Sequence, residues 1–314
     1  PAPTGGSDAP AAAPERLVLL MTPSDEKSLL EEQGAVIAEL LTEQLGIPVE
    51  VQVPDDYAAV VTALGTGQAD IAFTAPALTV QTLDEGIATP ILQVTRDGSR
   101  SYVTQWMTND PDRFCETDVV SVPTEVSKDG ASAGTFDFKF CNGVDTAEYG
   151  DEVGFDALSL LSPDDPISFV DAGSTSGYKF PVTQLQLLGV IDSPEDLTAA
   201  TFAGGHPASV LAVARGEAVV GTSFDDARTT AVLEEPAVED VVVFAWSTPI
   251  PNDGVVVSTL LSEEWVEKIK AALLTLPDSE AGATALFDSY EVDGFADADL
   301  EALDVVRQVG ANFD

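Results

Sequence analysis

Short apolar runs alternate with segments of helical periodicity along most of this chain, and this alternation constrains its fold more than any other feature. The runs LVLLMT (17–22), PVEVQV (48–53) and ADIAFTA (69–75) are apolar and rich in β-forming residues, so they predict buried strands. The segments after the first two runs carry apolar residues at helical spacing and predict helices that end near Gly46 and Leu64. Strands that alternate with helices form layered α/β sheets. We therefore predict an α/β chain of doubly wound, largely parallel sheets.

The alternation continues towards the end of the chain after one interruption. Between residues 109 and 155 Asp, Gly, Ser and Thr are abundant and no period is sustained, which predicts an irregular excursion. Further strands are predicted at 88–96, 101–108, 166–171, 200–204, 218–223, 241–248 and 254–259, and helical blocks at 262–275, 279–290 and 297–309. A length of 314 residues is enough for two domains, each with its own core.

Acidic residues dominate the charge of the chain. It has 54 Asp and Glu against 13 Lys and Arg, a formal net charge of −41. Such a surface repels phosphodiester backbones and anionic lipid headgroups, so we expect no nucleic-acid partner and no electrostatic docking to a membrane. A hydrophobic content of 45% argues against a disordered chain, and no apolar run approaches the ~20 residues that span a bilayer.

The start of the chain differs in composition from the rest. Its first residues, PAPTGGSDAPAAAPE, are small, polar or proline, and they predict a flexible tether over residues 1–15. The absence of an initiator methionine and a signal peptide fits an exported protein processed from a precursor, including a lipid-anchored one. An engineered truncation fits the same start equally well.

Two cysteines, Cys115 and Cys141, both lie in the irregular stretch. Cysteines this close together in a polar segment predict a local disulfide and hence an oxidising compartment. Metal binding is the weaker alternative, because two thiols and a single distant histidine do not complete a zinc-ligand set. We expect neither a metal nor a cofactor.

The segment GSTSGYKFP (173–181) carries the strongest signal for a binding site. It follows a predicted strand, opens a predicted helix, and places the hydroxyls of Ser174, Thr175 and Ser176 among the first backbone N–H groups of that helix. Unpaired amides and the helix dipole form a site for a small oxyanion. One hydroxyl would suffice for an ordinary helix cap, so three in a row favour a ligand. Neither a nucleophile elbow nor a Walker A loop matches this segment.

Other polar residues also follow predicted strands, where open α/β sheets bind ligands. His206, the single histidine, stands at a predicted helix start, where both a structural role and a binding role remain open. Asp225 follows another strand, where it could cap a helix or accept a hydrogen bond from a protonated oxyanion. Tyr57, Thr74 and Tyr102 lie at strand ends or turns, and for each of them packing is the simpler interpretation.

Taken in order, several segments resemble the periplasmic phosphate, phosphite and phosphonate-binding proteins, which are solute receptors of ABC importers. The segments are DDYAAVVTALGTGQADIAFTAPA (55–77), DAGSTSGYKFP (171–181), GGHPASVLAVARGEAVVGTSFDDAR (204–228), IPNDGVVVS (250–258) and YEVDGF (290–295). The resemblance implies a type II periplasmic binding protein fold, in which two doubly wound α/β lobes are joined by a two-strand hinge. Lobe 1 would then comprise residues 16–98 and 249–314, and lobe 2 residues 99–248. The excursion at 109–155 is longer than the corresponding connection in the family.

The resemblance also implies residue roles and partners. Ser174, Thr175 and Ser176 would hold the oxygens of a small phosphorus oxyanion, with His206 as a further donor and Asp225 as an acceptor. Tyr57 and Tyr102 would close the pocket, and Thr74 would lie near the substituent on phosphorus. The chain would be an extracytoplasmic monomer that delivers its ligand to ABC permease subunits, with membrane contact of its own only through a lipid anchor upstream of residue 1.

Two alternatives remain open on the sequence. An exported hydrolase could use Ser174 or Ser176 with His206 as base, although that chemistry needs a carboxylate behind the histidine. A receptor for another anion, such as a sulfonate, would use the same hydroxyls and amides. The hydroxyl turn and the family resemblance favour a non-catalytic receptor over these two alternatives, and this is the function that we expect.

Overall fold

The computed structural model describes residues 13–151 and 153–313. The predicted tether at 1–15 lies mostly outside these residues. Within the described part of the chain, no helix is long and apolar enough to cross a membrane.

Fifteen strands and eleven α-helices make up the regular structure of the described residues. The strands are β1 (Leu17–Met21), β2 (Val49–Gln52), β3 (Ile71–Thr74), β4 (Ala88–Thr95), β5 (Ser101–Tyr102), β6 (Thr104–Thr108), β7 (Val119–Lys128), β8 (Ala131–Cys141), β9 (Ile167–Phe169), β10 (Thr201–Phe202), β11 (Val220–Phe224), β12 (Val242–Trp246), β13 (Ile250–Pro251), β14 (Gly254–Ser258) and β15 (Gly294–Asp297). The helices are α1 (Lys27–Leu45), α2 (Tyr57–Gly65), α3 (Pro76–Asp84), α4 (Pro111–Phe114), α5 (Phe155–Leu158), α6 (Phe180–Leu187), α7 (His206–Ala214), α8 (Arg228–Glu234), α9 (Glu263–Leu274), α10 (Glu280–Tyr290) and α11 (Asp304–Gly310).

Six strands form the first sheet, in the order β15-β4-β14-β3-β1-β2. Strand β1 pairs in parallel with β2 and β3, while β14 lies antiparallel between β3 and β4. Helices α1, α9 and α10 bury their apolar residues on one face of this sheet, and α2 and α3 pack on the other face. This sheet with these five helices is called the first unit below.

Seven strands form the second sheet, in the order β10-β9-β11-β6-β12-β8-β7. Its core contains apolar residues from all of its neighbouring helices, α4 to α8, and these elements are called the second unit below. Strands β9, β10 and β11 are parallel, whereas β6 is antiparallel to both β11 and β12. The prediction of largely parallel sheets was therefore wrong in part, because strands that enter from the other unit, such as β6 and β14, join their sheets in the opposite direction.

The chain passes between the two units at a small third sheet. Residues Ser101–Tyr102 of β5 pair antiparallel with Ile250–Pro251 of β13. An apolar cluster surrounds this crossing: Ala77, Tyr102, Phe180, Ile250, Leu303, Val306 and Val309. The last three belong to the C-terminal region around α11, so one small core joins this helix to both crossing strands. We call it the hinge cluster.

Within the stretch predicted as an irregular excursion, residues 119–141 form a long β-hairpin, so the prediction was wrong for this part. Strands β7 and β8 pair antiparallel from Val119↔Cys141 to the tip, and β8 continues the second sheet by pairing in parallel with β12. Asp129 and Gly130 form the tip with φ angles of 53° and 71°, the left-handed conformation that Asp-Gly hairpin turns adopt. Cys115 and Cys141 are joined by a disulfide at the base of this hairpin, with Cα atoms 5.2 Å apart.

A buried arginine holds the hairpin to the rest of the second unit. Arg228 in α8 is fully buried and pairs with Asp226 at 2.6 Å, and it donates hydrogen bonds to the carbonyl oxygens of Lys139 (2.7 Å) and Val241 (3.0 Å). Its guanidinium also lies over the rings of Phe138 and Phe140 at 4.6 and 4.5 Å.

The last predicted helical block, 297–309, was also wrong in its extent. Residues Gly294–Asp297 form β15 at the edge of the first sheet, paired with β4, and the helix begins only at Asp304. Only Asp297 of the predicted block lies in β15, and residues 300–303 form a turn that leads into the helix.

Candidate ligand-binding site

The three consecutive hydroxyl residues lie at a helix start, as the sequence predicts. Ser174 caps a π-helical turn, Thr175–Lys179, which continues directly into α6. The Oγ of Ser174 accepts a hydrogen bond from the N–H of Gly177 at 3.1 Å. The first N–H groups of a helix have no partner within it, so those of Thr175 and Ser176 face outward from the turn. All three hydroxyl residues are buried.

A glycine brings this turn against the first unit. A Cβ atom at Gly173 would lie 2.7 Å from the Cβ of Tyr57, closer than real contacts allow. Only glycine therefore permits the turn to approach Tyr57 this closely. Burial raises the pKa of Tyr57 well above its ordinary value, although its hydrogen bond to Ser174 lowers the pKa in part. The phenol of Tyr57 therefore stays protonated and can donate a hydrogen bond.

His206 is the first residue of α7, and its hydrogen bonds define its tautomer. Nδ1 lies 3.3 Å from the backbone N–H of Phe224, which can only donate, so Nδ1 is an acceptor and the proton resides on Nε2. Nδ1 also lies 3.0 Å from Ser223 Oγ. Burial lowers the pKa of His206 to about 3, so the ring is neutral near pH 7.

One cavity, about 240 Å³ in volume, brings together residues from both units. Seven of the eight predicted site residues line it: Tyr57, Thr74, Tyr102, Ser174, Thr175, Ser176 and His206. The two tyrosines and Thr74 come from the first unit and the crossing strands, and the other four come from the second unit. The structure thus assembles hydroxyls that are far apart in the sequence around one space.

Asp225 is the predicted site residue that does not line this cavity. Its carboxylate accepts hydrogen bonds from the backbone N–H of Val103 at 3.0 Å and from the hydroxyl of Tyr149. These contacts hold it beside the chain crossing and outside the described lining of the cavity, and its role as a ligand contact stays a prediction. Burial raises the pKa of Asp225 to about 7.

An ion pair that was not predicted lines the cavity instead. Arg96 Nη2 pairs with Asp253 at 2.6 Å, and Arg96 Nε donates to the carbonyl oxygen of Tyr290 at 2.8 Å. The guanidinium lies 5.4 Å from the ring centroid of Tyr102, whose phenol has a raised pKa because of burial. Asp253 belongs to the segment IPNDGVVVS, which is one of the segments that resemble the family, but the sequence analysis gave this carboxylate no role.

Direct hydrogen bonds also join the two units around the cavity. The N–H of Ala77 in α3 donates to Thr175 Oγ1 at 2.9 Å, and the N–H of His206 donates to the carbonyl oxygen of Ser24 at 2.8 Å. Thr229 Oγ1 donates to Glu291 Oε1 at 3.0 Å, and burial raises the pKa of Glu291 to about 7. Both the hydroxyl turn and the start of α7 are therefore in contact with the first unit.

The chemistry of the lining is that of a site for a small anion. It offers hydroxyl groups, backbone amides, the Nε2–H of His206 and one guanidinium, with a carboxylate that can accept from a protonated oxygen. Ser174 Oγ accepts from Gly177, and Nδ1 of His206 is already an acceptor within the protein. Among the residues that the structure describes, no cluster of His, Cys, Asp and Glu could hold a metal ion.

Comparisons with known proteins show which family this sequence resembles. The sequence model of one family, described as ABC transporter, phosphonate, periplasmic substrate-binding protein, matches residues 19–303. The phosphate-import protein PhnD of Mycolicibacterium smegmatis is 25% identical over 307 residues, covering 94% of this chain and 81% of that protein.

Solved structures show the same fold. PhnD1 from Prochlorococcus marinus, in complex with methylphosphonate, superposes with a TM-score of 0.73 at 17% identity, covering 96% of this chain and 99% of that one. A binding protein component of an ABC phosphonate transporter from Pseudomonas aeruginosa gives 0.71 at 17% identity, covering 94% and 85%. The predicted type II periplasmic binding protein fold is thus confirmed. The chain belongs to the family of periplasmic substrate-binding proteins of phosphonate ABC transporters.

Proposed function

We propose that this protein is the extracytoplasmic receptor of an ABC importer, which binds a small phosphorus oxyanion between its two lobes and delivers it to the permease. One observation carries the proposal: the buried turn Ser174–Ser176 presents hydroxyls and free amides to a cavity that both units line. Fixed neutral dipoles can replace the hydration of a dianion in such a place.

In this proposal the phosphorus oxygens accept hydrogen bonds from the turn, from Nε2–H of His206 and from the phenols of Tyr57 and Tyr102. Asp253 takes the acceptor role that the sequence assigned to Asp225, because it lines the cavity and its charge is balanced by Arg96. A carboxylate acceptor favours an anion that still carries a proton near pH 7. Phosphate has one and sulfate does not, so Asp253 discriminates against sulfate.

The same proposal divides the chain into lobe 1 (16–98 and 249–314) and lobe 2 (99–248), with the pairing of β5 and β13 as the hinge. Two observations support it: the two large sheets share no strand, and the chain crosses between them at this pair. The hydrogen bonds from Ala77 to Thr175 and from His206 to Ser24 then belong to the closed form. Ligand exchange breaks them.

We further propose that the protein works as a monomer outside the cytoplasm, where an oxidising environment maintains the disulfide between Cys115 and Cys141. Its partners are the ligand and the permease subunits, with a lipid anchor upstream of residue 1 as its own membrane attachment. The family and its relatives are binding proteins of transporters and not enzymes, so the hydrolase alternative was wrong.

Thermal unfolding with a panel of anions tests the proposal. Phosphate, phosphite, methylphosphonate and 2-aminoethylphosphonate are compared with sulfate and methanesulfonate at the same concentration. A ligand at about a hundred times its Kd stabilises by about 2.7 kcal/mol, which is readily measured as a rise in Tm. At least one phosphorus oxyanion should stabilise the protein, and Ser174→Ala should reduce that effect. Stabilisation by the sulfur anions alone would establish the sulfonate alternative, and no stabilisation by any phosphorus compound would refute the proposal.

A further inference from the structure

The β7–β8 hairpin supplies part of the wall of the ligand cavity. Residues 125–128, near the end of β7, line the cavity together with residues of both units. Among them Val126 is 2% exposed and belongs to the core of the second unit, so its position is well defined. The hairpin is thus part of the binding site and not a surface appendage.

Both ends of the hairpin are held in place. At its base, Arg228 packs against Phe138 and Phe140 of β8. At its tip, the N–H of Asp129 donates to Asp288 Oδ2 of α10 at 3.0 Å. A Cβ atom at Gly130 would lie 3.1 Å from Thr284 Oγ1, also in α10, so the tip rests directly on the first unit. The hairpin therefore spans from one unit to the other across the cavity.

The cavity is larger than the phosphorus headgroup needs. Its 240 Å³ correspond to about eight water molecules at liquid density, whereas methylphosphonate has about five non-hydrogen atoms of roughly that size. The remaining space accommodates about three more. Away from the hydroxyl turn, the lining includes the apolar side chains of Leu29, Val126, Leu233 and Phe287.

We propose that strand β7 forms one wall of a substituent chamber, by which we mean the part of the cavity that holds the organic group of the ligand. The preferred ligand is then a phosphonate whose organic group extends about three non-hydrogen atoms beyond methylphosphonate. This inference rests on the proposed function, because it requires the headgroup to lie at Ser174–Ser176. Val126 is then the residue that sets the length and width of the substituent.

The charges around this chamber restrict the substituent further. Asp25, Glu26, Glu234 and Asp288 line the cavity, and Lys128 in the same lining interacts with Glu234 and Asp288. A second negative charge on the ligand would be repelled there. The chamber accordingly takes a neutral or cationic group and rejects a carboxylate.

Calorimetric titration of the full chain with four phosphonates tests the inference: methyl-, propyl-, 2-carboxyethyl- and phenylphosphonate. Burying two more methylene groups should make propylphosphonate bind about tenfold tighter than methylphosphonate. The 2-carboxyethyl compound, similar in length to propyl, should lose this advantage, and phenylphosphonate should be excluded by its size.

Two variants and one control connect this selectivity to the hairpin. Val126→Phe fills the chamber and should abolish the preference for propyl over methyl. In a second variant the hairpin is shortened: Asn-Gly replaces residues 124–136, and the Pro123↔Asp137 pair remains. This variant should bind phenylphosphonate at least about tenfold more tightly than the parent protein does. Val122→Phe makes the same change on the same face of β7 at a residue outside the described cavity lining, and it should behave as the parent.

The outcomes separate this inference from the proposed function. Methylphosphonate should bind all four proteins within about fivefold, because each keeps the headgroup contacts. If methylphosphonate binds but propyl gains nothing, or if Val126→Phe and the shortened hairpin keep the parent's selectivity, the chamber is refuted and the receptor function stands. If no phosphonate binds the parent protein, the proposed function fails and the inference falls with it.

Discussion

The hydroxyl of Thr175 makes a sharp prediction, because it serves both the ligand and the contact between the two units. It is buried, and its Oγ1 accepts the N–H of Ala77 at 2.9 Å. Thr175→Val keeps the shape of the side chain and removes the hydroxyl. Binding of methylphosphonate should weaken strongly, although the cavity keeps its size.

The expected magnitude follows from these two contacts. Leaving the buried N–H of Ala77 without an acceptor costs about 1–3 kcal/mol, and a lost hydrogen bond to a charged oxyanion costs about 1.5–3 kcal/mol. Even the lower values together amount to about 2.5 kcal/mol, which is about a 70-fold increase in Kd. The unpaired N–H of Ala77 destabilises only the closed form, in which the two units are in contact. Thr175→Val should therefore also favour the open form when no ligand is present.

Calorimetry with methylphosphonate measures the affinity, and small-angle X-ray scattering without ligand measures opening. Thr175→Ser should restore most of the affinity, because serine keeps the oxygen. Thr82→Val is the matched control: Thr82 is also fully buried, but its hydroxyl donates to Leu78 within its own helix α3 at 2.9 Å. A Thr175→Val protein that binds within threefold of the parent, or a Thr82→Val protein that loses as much affinity, would refute the reasoning.

Three further predictions concern stability. Burial raises the pKa of Glu291 to about 7, so the folded state holds a proton that the unfolded state releases above about pH 4.5. The free energy of unfolding should therefore fall as the pH rises from about 4.5 to 7. In denaturant titrations, Glu291→Gln should remove roughly 2–3 kcal/mol of that fall. Gly177→Ala places a Cβ atom 2.3 Å from Val170 Cγ2 and should cost about 1–3 kcal/mol and weaken methylphosphonate binding; an unchanged Tm would contradict this. Replacing both Cys115 and Cys141, which are 26 residues apart, should lower the free energy of unfolding by about 3 kcal/mol in urea titrations. A reducing agent should lower the stability of the parent protein to that of the variant, and it should leave the variant unchanged.

Local physics accounts for the part of the site that the sequence predicted. The run Ser174–Ser176 after an apolar strand indicates a helix start with free amides, and this depends only on neighbouring residues. His206 before a proline is equally local. In contrast, Arg96 and Asp253 are 157 residues apart in the sequence, and either could have been an ordinary turn residue. Their pairing follows from tertiary structure alone.

Two differences between sequence and structure have different causes. Asp225 follows an apolar run and Asp253 precedes one, and nothing local shows which carboxylate faces the cavity. The hairpin, however, left a signal: Phe136, Phe138 and Phe140 alternate with polar residues, and Asp129 begins an Asp-Gly turn. The abundance of polar residues around this alternation obscured it, because both strands of an edge hairpin expose much of their surface.

The hinge cluster has a thermal consequence. Its packing is apolar, and Ile250 and Val306 are almost fully buried within it. Apolar burial weakens on cooling, unlike the polar contacts that surround the ligand. The torsional stiffness of the crossing should therefore decrease in the cold while the affinity of the headgroup site is retained. Capture and release would then have different temperature coefficients, and their balance would depend on the apolar packing of this small core.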